Sequence, residues 1–321
     1  MNISRTERDG ILLILASVTA YAMLPVFIKA LQLAGLSPLD IATWRFGLAA
    51  PLAWLIVRGF RLPVGDKSLP RLKLVGMGTL LAAAAVITFY GFERLPVGTF
   101  VVLFYTYPAI IAVLCAFMGE RLPLAGWVAL VLTTIGIVLT VPDFGQGVGN
   151  DSIIGVLMAM VCAVLVAVYF LLNSRVLKEH TAFGHASAWT TTGALLVLLL
   201  LIPFRAVQQP GHLLSNMGNI AMSLPVLAAA RPDGAELLLR MLAIAGFSTV
   251  LAGFLLMVGI QKVGAPRASI IGTVEPILTL IFARLFLGEQ MQTVQLVGGA
   301  FIIASVIVLQ LGSRVKVPAV E

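Results

Sequence analysis

The stretch FYTYPAIIAVLCAFMGERL, Phe104 to Leu122, has an echo in VEPILTLIFARLFLGEQ, Val274 to Gln290. Each is an apolar run that contains one proline and closes on Gly-Glu, and each is followed by another apolar run. Gly91 aligns with Gly259 and Pro108 with Pro276 at an offset of 168. After one inserted residue, Gly119-Glu120 aligns with Gly288-Glu289. A chain that repeats itself at this distance is built from two copies of one unit. What the unit is depends on the runs around these phrases.

The 321 residues are 60% hydrophobic and only 11% charged. Soluble domains are nearer a quarter charged, so this chain has more apolar residue than one globular core can hide. It reads as an integral membrane protein. The net charge of +7 does not point to nucleic acid. The 21 Lys and Arg residues are spread between apolar runs, as cytoplasmic loops require. Cys115 and Cys162 lie inside apolar runs and read as small packing residues. At the N-terminus, Arg5, Arg8, the run from Ile11 and Ala20-Tyr21-Ala22 imitate a cleavable leader. The run continues to Leu33, so we read it as a retained first span.

About 20 apolar residues cross the ~30 Å of hydrocarbon as a helix. Ten windows qualify: 11–33, 38–57, 71–92, 96–118, 123–141, 152–173, 185–204, 237–260, 265–287 and 291–311. They lack the alternation of a barrel strand, and lipid leaves the backbone no other partner, so the fold class is all-α membrane with ten transmembrane helices. Residues 1–141 form the first five-helix repeat, 142–151 a linker, 152–313 the second repeat and 314–321 a tail. Within the second repeat, 205–236 holds Asn216, Asn219 and Pro225 and reads as an extracytoplasmic loop with an interfacial or re-entrant piece. Two basic residues, Lys29 and Arg45, fall inside spans. With the N-terminus in the cytoplasm, five fall outside (Arg94, Arg205, Arg231, Arg240 and Arg284) and fourteen inside. That bias places both termini inside. Five spans per repeat is an odd number, so the two repeats enter the membrane with opposite polarity. Inverted repeats of this kind build secondary transporters, in which two halves alternate around a midplane site.

The two Pro…Gly-Glu phrases, together with WRFGLAAPLAWL from Trp44 to Leu55, resemble the EamA family of the drug/metabolite transporter superfamily over nearly the whole chain. The resemblance implies a ten-span bacterial inner-membrane carrier that exports amino acids or similar small metabolites. The narrower pattern is similar to the aromatic-amino-acid exporter branch. Cationic drugs, purines and nucleotide-sugars stay open as cargo, as do a monomer and a homodimer.

Several residues are candidates for the site. Lys29 and Arg45 are cations at membrane depth, where a charge costs ~2.5–3.5 kcal/mol on insertion scales and seeks a partner or a wet cavity. Either would hold a substrate carboxylate. Alternatively, Lys29 snorkels to headgroups and Arg45 pairs with Asp40 or with helix-end carbonyls. Glu275 lies about eleven residues from either end of its span. An unpaired carboxylate there is costly, so it couples protons, binds an ammonium, or donates to the carbonyl of Gly272 freed by Pro276. Tyr21, Tyr105, Tyr107 and Trp189 suit the wall of a cavity for an apolar or aromatic solute, or a packed core and interface belt. Pro25, Pro108 and Pro276 read as helix breaks, and Glu275 is an acid that the matching Tyr107-Pro108 lacks.

Gly155, Ala159, Ala163 and Ala167 recur every four residues along span six and read as a close helix contact, as do Ala82 to Ala85 in span three. His180, His185 and His212 lie at a span boundary or in loops. There is no HExxH, no phosphate-binding Walker loop and no group of close acids. We therefore expect no catalytic site, no cofactor and no metal. A channel, a sensor or an intramembrane enzyme is a weaker reading than a carrier.

Overall fold

In hydrocarbon every backbone N–H and C=O has to find a partner within the protein, and a helix supplies one locally for all but its ends. In the computed structural model the described residues are 5–62, 69–118, 124–140, 149–177, 180, 182–208, 234–264, 268 and 271–312, and they are helical almost throughout. Span one runs Arg5–Leu33, span two Pro38–Gly59 and span three Arg71–Arg94. Span four is two half-helices, Val97–Phe104 and Tyr107–Phe117. Span five is Leu124–Thr140, span six Asn150–Val176 and span seven Phe183–Gln208. Span eight joins Gly234–Leu242, a π-helical Ala243–Leu251 and Ala252–Val263. Span nine is Val274–Leu287 after a break at Thr273, and span ten is Thr293–Gly312.

Main-chain hydrogen bonds outlast the apolar windows. Span seven reaches Gln208 and span eight begins at Gly234, so the expected loop 205–236 is helical at both ends. The rest of that loop with His212, the Gly119-Glu120 turn, most of the linker and the C-terminal tail lie outside the described residues. Pro25 does not break span one, whose helix passes through it. It removes one N–H, and the packed neighbours hold the chain helical around the gap.

The packing partners repeat. Span three lies on spans six and seven; its counterpart, span eight, lies on spans one and two. Span four packs on span six and span nine on span one. The pairs two with seven, four with nine and five with ten join counterparts directly. This is the contact pattern of two five-helix units related by a pseudo-twofold axis. Gly155, Ala159, Ala163 and Ala167 are all buried along one face of span six. Polar side chains between helices are bonded: Ser17 donates to the carbonyl of Ala252 at 2.7 Å, and Thr133 to Ser305 at 2.9 Å. Large apolar side chains such as Leu200, Leu285 and Trp127 face outward, as lipid requires and water does not tolerate in such number.

One contact ties the repeats at a helix end. Span nine stops at Gly288, in the left-handed conformation with φ 68°, a turn that costs glycine nothing. The turn sends Glu289 back to span four, where its two oxygens accept from the N–H groups of Val97 at 2.8 Å and Gly98 at 3.0 Å. A carboxylate at a helix N-terminus satisfies orphan donors and meets the positive end of the dipole.

Spans five and ten cross where a side chain has no room. A Cβ on Gly298 would lie 2.7 Å from the carbonyl oxygen of Gly136 and 2.5 Å from Thr140 Oγ1. Gly298→Ala is expected to lower stability by about 1–3 kcal/mol through overpacking, read as a lower thermal midpoint in detergent. Gly76→Ala, on an exposed helix face with open space around it, should leave that midpoint unchanged or raise it.

Candidate substrate cavity

The breaks in spans four and nine arise alike and lie at matching places. In span four, Tyr105 N–H is shared between the carbonyls of Val101 and Val102, at 3.0 and 3.2 Å, and Thr106 N–H bonds Leu103 at 3.1 Å. The helix tightens and stops. Pro108 then sits in the first turn of the second half-helix, where its missing N–H costs nothing. In span nine the chain turns at Thr273 and restarts at Val274, with Pro276 in the first turn. Both breaks thus precede the proline. Glu275 falls in the first turn of the restarted helix, where free N–H groups and the dipole favour negative charge. Its side chain lines the same cavity as Tyr105 of span four.

Glu275 and Arg45 line the same cavity, of about 220 Å³. Its walls come from spans one, two, three, four, six and nine, and include Tyr21, Pro25, Tyr105 and Ala84. Cys162 also lines it, bonded to Thr88 at 3.0 Å. Arg45 makes no ion pair, with Asp40 or any other carboxylate among the described residues. Its Nε donates to Thr249 Oγ1 at 3.2 Å, and the guanidinium carbon lies 5.3 Å from the Phe46 ring centroid and 6.0 Å from that of Phe89. Asp40 instead caps span two through Ser37, whose Oγ donates to it at 2.6 Å. Tyr21 stands within electrostatic reach of both Arg45 and Glu275.

A second cavity, of about 390 Å³, lies toward the side of the bundle where span one begins. Its walls include Leu62, Phe183, Thr191, Thr249 and Met257. Tyr21, Arg45 and Leu81 line both cavities and form the layer between them. Together the two cavities draw on spans one to four and six to nine, with no lining residue from span five or ten among the described residues.

The other candidates lie elsewhere. Lys29 donates its ammonium to the carbonyl of Phe92, and Gln32 Nε2 to that of Phe89 at 2.6 Å. The pair closes the last turn of span three and lines neither cavity. Tyr107 stacks on Phe170 at 5.5 Å, near Glu275 but outside the cavity lining. Trp189 packs against Trp54 at 5.1 Å, with Arg71 5.6 Å over its ring.

The EamA-like transporter family matches residues 8–141 and again 153–311. The chain belongs to that family. It is a multi-pass membrane transporter of small molecules, not an enzyme. It is 24% identical over 299 residues to the "Uncharacterized transporter YcbK" of Bacillus subtilis, covering 92% of this chain and 90% of that one. It is 26% identical over 236 residues to the threonine/homoserine exporter RhtA of Escherichia coli, covering 73% and 70%. A solved structure titled only as a crystal structure of a protein superposes with a TM-score of 0.58 at 18% identity, over 99% of this chain and all of that one. The narrower likeness to aromatic-amino-acid exporters gains no support from these relatives.

The candidate residues missed by sequence reasoning are Thr249 and the π-helical turn that carries it. AIAGFSTVL has no proline and no charge, so nothing in its composition separates it from an ordinary apolar helix. The placement of Lys29 makes a checkable distinction. Lys29→Met should lower stability by about 1–3 kcal/mol, the cost of a lost charged hydrogen bond, while leaving the substrate concentration for half-maximal transport unchanged. A large rise in that concentration with unaltered stability would return Lys29 to the site.

Proposed function

We propose that this transporter exports amino acids, or similarly small zwitterionic metabolites, across the bacterial cytoplasmic membrane by alternating access, with both termini cytoplasmic. The observation that carries the reading is one small cavity presenting Arg45 and Glu275 without pairing them. A zwitterion brings a carboxylate to the guanidinium and an ammonium to the carboxylate, with Tyr21, Tyr105 and the aromatic walls around its side chain. The cavity is smaller than the ~300–1,000 Å³ that holds drug-sized ligands, which counts against nucleotide-sugars. They would also want more than one cation at this depth. The likeness to a threonine/homoserine exporter supports the same cargo class. The units 1–141 and 152–313 would rock about the Tyr21–Arg45–Leu81 layer, opening the site to one side and then the other.

Counterflow of labelled amino acids in proteoliposomes tests this. Saturable exchange is expected, because a carrier saturates and a channel does not. Arg45→Ala should reduce exchange about tenfold or more, in line with losing a charge-assisted hydrogen bond. If no small amino acid moves in either direction, the reading is wrong.

A second role for Glu275, as a proton carrier, follows from its place beside Tyr105 at a helix break. Glu275→Gln separates the two roles. A proton carrier would keep gradient-free counterflow and lose accumulation driven by a pH gradient, whereas an ammonium site would lose both.

A further inference from the structure

In an α-helix a threonine hydroxyl reaches the carbonyl four residues back, as Thr19, Thr43, Thr190 and Thr279 all do here at 2.8–3.0 Å. Thr249 departs from this. Its Oγ1 donates to the carbonyl of Ile244, five residues back, at 2.7 Å. That offset belongs to the π-helical segment Ala243–Leu251 in which it sits. The hydroxyl has one proton, and Ile244 takes it. Toward any other group Thr249 can only accept, and the group facing it is Arg45 Nε–H at 3.2 Å.

We propose that Thr249 is a positioning residue, which holds the Arg45 guanidinium so that its two Nη groups address a substrate carboxylate in the layer between the cavities. This rests on the reading that Arg45 receives the carboxylate of the cargo. A guanidinium presents two faces to a carboxylate, a side-on pair using Nε and an end-on pair using both Nη groups. Thr249 occupies Nε, so the end-on pair is left for cargo. The Phe46 and Phe89 rings lie within 6.0 Å of the guanidinium carbon, and with the Thr249 bond they restrict its movement.

The π turn carries more residues than an α turn. One extra residue rotates everything beyond it by about 100° relative to an unbroken α-helix, so the turn decides which side chain faces span two. The first repeat has no such device. Leu81 lies ten residues before Gly91, as Thr249 lies ten before Gly259, within a span three that is α-helical throughout. Leu81 of the first repeat lines both cavities with Arg45, whereas its counterpart Thr249 lines the second cavity and gives Arg45 an oriented acceptor. The Arg45–Thr249 bond also joins span two to span eight, one from each repeat.

The test uses the full chain in proteoliposomes. A labelled amino acid, threonine in the first instance, is competed by unlabelled threonine and by threonine amide, which lacks the carboxylate. Thr249→Val keeps the shape and removes the acceptor; Thr249→Ser keeps the acceptor. Thr249→Val is expected to raise the KM for threonine about tenfold with little change in kcat, and to erase the preference of threonine over its amide. Thr249→Ser should retain both. In an Arg45→Lys background, which has no guanidinium to orient, Thr249→Val should add nothing further. The proposal is overturned if Thr249→Val keeps the wild-type KM and carboxylate preference. It is overturned equally if the Thr249→Val and Arg45→Lys effects multiply. Should Thr249→Val fail to fold, Thr249→Ser and Thr249→Asn decide: Ser must keep the preference, and Asn, whose acceptor is displaced, must weaken it. If the wild-type protein does not distinguish threonine from its amide, the carboxylate reading of Arg45 falls and takes this proposal with it. If the wild type distinguishes them and Thr249→Val does too, only the role of Thr249 falls.

Discussion

A backbone group left without a partner in hydrocarbon costs several kcal/mol, and the transporter is organised around the two places where its helices accept that risk. Spans four and nine are both interrupted part-way along, at Tyr105-Thr106 and at Thr273. Such a break is tolerable only where protein or a polar cavity surrounds it, so both breaks point inward. At span four, Tyr105 and Thr106 N–H groups bend back to carbonyls three or four residues earlier, and Pro108 needs no acceptor. The far end of the first half-helix is closed by Glu289 from the other repeat. Tyr105 at one break and Glu275 just after the other both line the largely apolar cavity.

The same constraint decides how much of the molecule is legible in its sequence. Ten spans, their order and the repeat follow from apolar runs and the paired Pro…Gly-Glu phrases, because lipid leaves the chain few alternatives. Arg45 and Glu275 stand out because charge at depth is rare and needs a reason. Lys29 stands out equally. Composition cannot say whether a long flexible ammonium turns to a cavity or to a nearby carbonyl, and here it closes the end of span three. Trp189 is indistinguishable by type from a cavity aromatic for a similar reason, since a ring packs as well against Trp54 as against cargo. The π-helical turn leaves no trace in residue type, because it changes only the hydrogen-bond offset. Pro25 is another such case: a proline within a span breaks the helix or is carried through it according to its neighbours.

Packing divides labour among the spans. Spans five and ten contact each other through glycines and, among the described residues, line neither cavity. The lining of the two cavities comes from the other eight. Those eight pair according to the pseudo-twofold axis, so a rearrangement of span three on spans six and seven has a mirrored counterpart in span eight on spans one and two. Exchange of two equivalent packings is how an inverted repeat gives states of similar energy.

Symmetry alone would make a poor binding site for an asymmetric solute, because it would offer both ends of the cargo the same chemistry. The transporter departs from it at a few positions, and those are where charge and its orientation enter. Just before the proline, the first repeat has the Tyr107 phenol and the second has Glu275. Leu81 in the first repeat matches Thr249 in the second, which takes the Nε of Arg45. The acid and the oriented acceptor both belong to the second repeat, and the arginine belongs to the first. On the proposed reading the cargo bridges the two repeats, its carboxylate on one and its ammonium on the other. A ligand held that way stabilises the packings that bring Arg45 and Glu275 to a common distance. It can couple the rocking of the halves to its own passage, since affinity that differs between states is the only means by which a ligand shifts a conformational equilibrium.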